Sequence, residues 1–296
     1  MRYFIHLSYD GSGYHGWQIQ PSGKSIEEEL ERCLSLLFRR DIDIVGAGRT
    51  DAGVHARHAV AHFDVTTEEA QSAVLHNLAF RLNRMLPPDI VVNSIEPVSD
   101  EMHARFSAKW RTYHYYVTTR PTPFNRQYFW HAYTWTDSKG ERHPLDFQLM
   151  NEAAAMLMEY KDFAAFCKTH TDVKTTFCDV VEARWVPLTQ TASVAQAPVP
   201  DILPLSVAQA PVPDILPLSV AQDTVLDALP STDWIFIIKA NRFLRNMVRA
   251  VVGTLVEVGR HRMTPEQFRE VIEGKSRSNA GDSMPANALF LQKIEY

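Results

Sequence analysis

The chain has 296 residues, 45% of them hydrophobic and 22% charged, with a formal net charge of −5. That length and apolar content suit one large soluble domain or two of ordinary size, with real cores. No charge-free apolar run is long enough for a membrane span, and Met1 to His6 holds no long apolar stretch, so neither a membrane anchor nor a secretory signal is expected. Cys33, Cys167 and Cys178 are an odd set with no CxxC, which reads as reduced thiols in a cytoplasmic protein.

In chain order, residues 3–9 read as a strand. Ser25 can cap a helix with Glu28 at the box position, carrying Leu30, Leu34 and Leu37 at helical spacing. A short strand at 42–45 leads into a glycine-rich loop, and a strand follows at 59–65. Residues 68–85 form an amphipathic helix pattern stopped by Pro87-Pro88. Strands are expected at 90–95 and 113–118, a helix at 145–158, and strands at 176–185 and 234–240. Helices at 244–258 and 265–273 and a strand at 289–296 complete the pattern. Strands and helices in both halves point to an α+β fold, with mixed or antiparallel sheets backed by helices.

Residues 193–205 recur identically at 206–218, and a third copy begins at Ser219. Three prolines in each 13-residue copy exclude helix and central strand, and two copies cannot stack as a solenoid. A surface loop insert at about 189–232 is expected, since long loops add little closure entropy. The same region explains the charge. From Arg184 to Lys239 there is no Lys or Arg, but there are five aspartates, which account for the whole −5. Arginines gather instead near the motifs below: Arg49, Arg57, Arg105 and Arg111 in one half, Arg242, Arg245, Arg249, Arg260 and Arg262 in the other. Local field rather than net charge steers a polyanion.

The loop Gly46-Ala47-Gly48-Arg49-Thr50-Asp51-Ala52-Gly53-Val54-His55 sets a carboxylate two residues from a guanidinium. Its glycines permit a tight turn or close approach to a ligand. A dinucleotide fingerprint fails because Asp51 stands at its last glycine, where a carboxylate repels pyrophosphate. A P-loop fails because Val54-His55 replaces Lys-Ser/Thr. From the residues alone two readings stay open: a catalytic pair, or a tight turn with a surface ion pair.

The loop resembles the active-site segment of tRNA pseudouridine synthases of the TruA type. Three further blocks carry the resemblance in the family's order: Tyr9-Asp10-Gly11 with Tyr14 and Gly16-Trp17-Gln18; His103-Ala104-Arg105-Phe106-Ser107-Ala108 with Tyr113-His114-Tyr115; and Phe243, Met247-Val248-Arg249, Gly253 and Glu257-Val258-Gly259. The chain departs from the family pattern at His58-Ala59 and at Ala288. The resemblance implies two α/β halves, residues 1–108 and 109–296, with one sheet across both and an active-site cleft between them. It implies isomerisation of uridine to pseudouridine at positions 38, 39 and 40 of the tRNA anticodon stem-loop, by a cytoplasmic homodimer. No cofactor, metal, membrane or DNA partner is expected.

By resemblance Asp51 is the nucleophile, or the base that opens a glycal path. Arg249 is its cationic partner, and Tyr113 stacks on the uracil. Arg49, His55 and Arg105 contact the RNA. Arg249 also sits in an otherwise apolar helix, where a guanidinium needs a partner whatever the family. Tyr115 and Phe106 are expected in the core, as are Trp17, Trp110 and Trp185. His55, His58 and His62 have a spacing that zinc could use, without a cysteine to join them. Two other function classes follow from these features: an RNA-binding module without turnover, and a metal-dependent hydrolase centred on the histidines.

Overall fold

The computed structural model describes residues 1–72, 74–132, 134–137, 139–168, 174–188 and 233–296. The repeated insert expected at 189–232 lies outside the described residues. In chain order the elements are β1 (Arg2–Tyr9), α1 (Ile26–Phe38), β2 (Val45–Gly46), β3 (His55–Asp64), α2 (Thr67–Ala70), α3 (Leu78–Asn83), β4 (Ile90–Val98) and β5 (Trp110–Thr118). Then come β6 (Trp130–His131), β7 (Trp135–Thr136), β8 (Arg142–His143), α4 (Phe147–Met156), β9 (Val180–Pro187), β10 (Asp233–Ala240), α5 (Met247–Gly259), α6 (Pro265–Glu273) and β11 (Leu289–Glu295).

One continuous sheet runs β4-β1-β3-β11-β5-β10-β9, with β2 added to β3 and β6 to β5. Most pairings are antiparallel, but β11 runs parallel to β3. The fold is therefore α+β with a mixed sheet. β11 joins the β4-β1-β3 group to the β5-β10-β9 group, meeting β3 through Phe290 opposite His55 and Leu291 opposite Ala56.

Side chains alternate across the sheet. On β5, Tyr113, Tyr115 and Val117 enter the main core with Phe236 and Ile238 of β10 and the buried residues of α4, α5 and α6. Tyr116 belongs to a second, smaller cluster with Val186, Ile235 and Ile237.

Local chemistry sets the helix ends. The Ser25 hydroxyl accepts the Glu28 N–H at 3.2 Å, and α1 ends at Arg39 in the left-handed region, φ 55°. Thr264 and Gln267 form a capping box before α6, with Pro265 in its first turn, so this helix spans the expected residues.

Two expected elements are corrected. Residues 68–85 do not form one helix but two short pieces, α2 and α3. The Ser72 hydroxyl donates to Glu69 O and accepts from Val74 N–H, competing with the helical ladder, and Asn77 adopts φ 58° before α3. The strand expected at 42–45 shrinks to β2. Side chains of α1 take its backbone donors instead, Ser35 Oγ from Ile42 N–H and Glu31 Oε1 from Ile44 N–H. All three cysteines are free and buried.

Candidate active site

The loop between β2 and β3 is held at both shoulders. Ala47 N–H donates to Val60 O at 2.8 Å, Trp17 N–H to Thr50 O at 3.2 Å, and Gly53 N–H to Tyr14 O at 3.3 Å. Val54 N–H closes a turn onto Asp51 O at 3.1 Å. Beneath it the Thr50 and Tyr9 hydroxyls pair at 2.9 Å in a buried contact. The close approach needs glycine at Gly16: its φ is 94°, and a Cβ there would fall 2.3 Å from Thr50 O. Asp51 is thereby presented on a fixed backbone with its side chain 28% exposed.

Two arginines face that carboxylate. Arg249 Nη1 stands 3.6 Å from Asp51 Oδ2 with its side chain 22% exposed, and its Nε donates to Met284 O. Arg245 Nε stands 4.0 Å from Asp51 Oδ1 and is 56% exposed. The first turn of the helix that carries Arg249 is otherwise apolar, with Val248, Ala250, Val251 and Val252 buried. Its Gly253 lets residues 281–284 cross closely, where a Cβ would strike Asp282 O at 1.8 Å. That crossing lets Met284 N–H bond Arg249 O at 3.1 Å, fixing the arginine's backbone beside the acid.

Tyr113, on β5, is nearly enclosed and meets Phe243 edge-to-face, with ring centroids 5.0 Å apart at 84°. Burial pushes its phenol up to about 12; Arg111 pulls it down and Asp51 pushes it up. The hydroxyl is therefore a neutral donor across the physiological range.

Arg111, like Arg245, was not assigned to the site from the sequence. Its Nη1 donates to Asn241 O at 2.6 Å and Ala108 O at 3.3 Å, and its Nη2 to Arg105 O at 2.7 Å and Ala47 O at 2.9 Å. Among the described residues no carboxylate pairs with it, and burial pulls its pKa below the usual guanidinium value. One guanidinium thus ties the Asp51 loop, the 105–108 turn and the end of β10 together. Backbone acceptors leave no trace in a sequence; a cation two residues before Tyr113 on the same strand was the only available signal.

The structure gathers Asp51, Arg249 and Tyr113 about one point and leaves other expected residues elsewhere. Arg49 is exposed and makes no ion pair among the described residues. Arg105 is exposed, its guanidinium 5.8 Å from the Phe106 ring centroid. Phe106 is corrected from core to surface, at 77% exposed. His55, expected to contact the substrate, lies inside the protein. Its side chain is 1% exposed at the β3–β11 seam, accepting from Gly11 N–H at 3.0 Å and donating from Nε2 to Asn287 O at 3.1 Å. Burial holds this imidazole below its ordinary pKa despite Asp10 nearby. In this arrangement the side chain ties the Gly11 turn and residue 287 to the seam. His58 pairs with His6 at 3.0 Å, and His62 accepts from Ala104 N–H at 3.2 Å. The histidines of β3 thus have separate protein partners. Among the described residues, ligand atoms cluster only at Asp137, Glu141 and His143, where the Asp137 carboxylate already takes two backbone N–H groups and the imidazole.

A mixed α+β sheet with a loop-borne carboxylate at its seam, faced by arginine and tyrosine, has the architecture of a pseudouridine synthase. A family model described as tRNA pseudouridine synthase matches residues 6–107 and 153–296. The chain is 47% identical over 295 residues to tRNA pseudouridine synthase A of Bacteroides thetaiotaomicron, covering 100% of this chain and 90% of that one. It is 42% identical over 295 residues to the protein of that name from Porphyromonas gingivalis (100% and 97% covered), and 31% over 300 residues to the one from Bacillus subtilis (100% and 99%). This chain belongs to the tRNA pseudouridine synthase family, and is accordingly an isomerase. No helix among the described residues is long and apolar enough to cross a membrane.

Proposed function

We propose that this protein isomerises uridine to pseudouridine at positions 38, 39 and 40 of the tRNA anticodon stem-loop, acting as a cytoplasmic homodimer. The observation that carries the reading is a partly buried carboxylate on a loop pinned at both shoulders, with Arg249 at 3.6 Å and the neutral Tyr113 hydroxyl on the adjoining strand group. In the reaction the C1′–N1 bond breaks and a C1′–C5 bond forms. The C5 proton leaves and N1 gains one, so atoms and electrons balance without a redox partner or cofactor.

Asp51 serves as nucleophile at C1′ or as base at C2′. Arg249 holds its carboxylate in place; Arg245, more exposed, adds positive charge at the mouth of the site. Tyr113 lies against the turned base, its hydroxyl available to pass the proton between C5 and N1. Arg49 and Arg105 take the RNA backbone. A division at 108/109 puts the Asp51 loop on the first half and Tyr113 and Arg249 on the second.

The test is isomerisation of an unmodified tRNA transcript with uridines at the three positions, in EDTA, by wild type and Asp51→Asn. Product from wild type alone is expected. Binding by both proteins without product from either would make the chain an RNA binder, and inhibition by EDTA would restore the metal hydrolase.

A further inference from the structure

The turn between β4 and β5 holds a phenyl ring out in water on a rigid mount. Ser107 N–H donates to His103 O at 2.9 Å and His103 N–H to Ser107 Oγ at 3.0 Å. Arg105 and Phe106 N–H groups both reach His103 Nδ1, at 3.1 and 3.3 Å. Ala104 N–H fastens the turn to His62 on β3, and the His103 ring supports Phe106 at 4.4 Å between centroids. The ring nonetheless stays 77% exposed, forfeiting the burial that nearby apolar side chains obtain. Its place beside the site is fixed too. Arg111 Nη2 bonds both Arg105 O and Ala47 O, so this turn and the Asp51 loop share one donor. Exposed Arg49 and Arg105 make the surroundings attractive to a polyanion.

A flat apolar face beside a cation is what an unstacked base accepts. We propose that Phe106 is a substrate-positioning residue that enters the RNA stack where the target uridine has turned out, and stacks on the base next to the gap. This rests on the isomerase reading above. Turning out a base costs unpairing as well as unstacking, so the ring's contribution is largest where the target uridine is paired.

The experiment uses two tRNAs with a single target uridine, one with it paired to adenine and one with a mismatch opposite. Each carries 2-aminopurine beside the target. Single-turnover rates are measured with wild type, Phe106→Ala and Phe106→Trp; unstacking is read by fluorescence in an Asp51→Asn background with and without Phe106→Ala. Phe106→Ala should lose about 5- to 100-fold on the paired RNA, from the strength of aromatic–base stacking. It should lose less than about threefold on the mismatched RNA, with Phe106→Trp close to wild type on both and melting unchanged, since an exposed ring carries little folding energy. Equal loss on both RNAs, or loss on neither, overturns the proposal. So does a change of oligomeric state with unstacking intact, which would make the ring a protein contact. The fluorescence needs no turnover: unstacking of the paired uridine by Asp51→Asn, with no product from wild type, sinks the isomerase reading alone.

Discussion

Replacing Arg111 by methionine removes one guanidinium from four backbone carbonyls, at 2.6, 2.7, 2.9 and 3.3 Å. Hydrogen bonds from a charged donor contribute about 1.5–3 kcal/mol each, and a buried acceptor left without a donor costs a similar amount. Against this, wild type already bears the desolvation of an arginine with no acid beside it, which methionine relieves by several kcal/mol. The two terms oppose each other, and the net is a loss on the scale of an ordinary destabilising substitution, about 1–3 kcal/mol. Two of the released carbonyls, Ala47 and Arg105, belong to the segments that carry Asp51 and Phe106. A displacement of about 1 Å in a reacting group costs on the order of 100-fold. Urea denaturation and single-turnover isomerisation should therefore both respond: a lower midpoint, and kcat down about 100-fold with KM nearly constant. Arg111→Lys keeps the charge but not the planar fork, and should recover part of each. A methionine variant that unfolds at the wild-type urea concentration, or retains kcat within about threefold, would refute the stapling role assigned here.

Tyr113→Phe keeps the edge contact with Phe243 and should bind tRNA normally while losing about 100-fold or more in rate, the usual scale of a proton-transfer role; full activity would exclude that role. With the phenol at about 12, Tyr113 should add no alkaline limb to the rate profile below about pH 10. Stability should fall on acidification, because burial pulls His62 and His114 to about 4, while in the unfolded chain they titrate near 6.5. The unfolded state then takes up protons first, so this stability is present above pH 6.5 and is lost as pH falls towards 4. The slope is about 1.4 kcal/mol per pH unit for each proton, and a urea midpoint unchanged between pH 7 and pH 5 would contradict it.

The legible parts of the fold were those whose causes are local. Ser25 with Glu28 marks a helix start by backbone donors those side chains can reach, Pro265 suits the first turn of another, and both helices begin there. The pattern at 68–85 misled because Ser72 and Asn77 offered the chain local alternatives that hydrophobic spacing does not register. The candidate site was legible through the order of its motif blocks rather than through periodicity, since Asp51, Tyr113 and Arg249 meet only after the sheet closes. Arg245, Arg111 and Phe106 were not. An arginine on carbonyls, or a phenylalanine kept wet, looks in sequence like any other. His55 differs in the opposite sense, a polar residue beside the Asp51 loop that the seam buries.

The strand at the middle of the sheet, β11, is the last element in chain order. On a ribosome the β4-β1-β3 group can assemble early, but it cannot join the β5-β10-β9 group until residues 289–295 emerge and zip between them. The nascent chain therefore carries its acid and its arginines on unconnected pieces, and competence arrives in a single late event. Until then the stretches of β3 and β5 that β11 will cover lie open, a window in which a chaperone, or another nascent copy offering its own strand, competes for the central position.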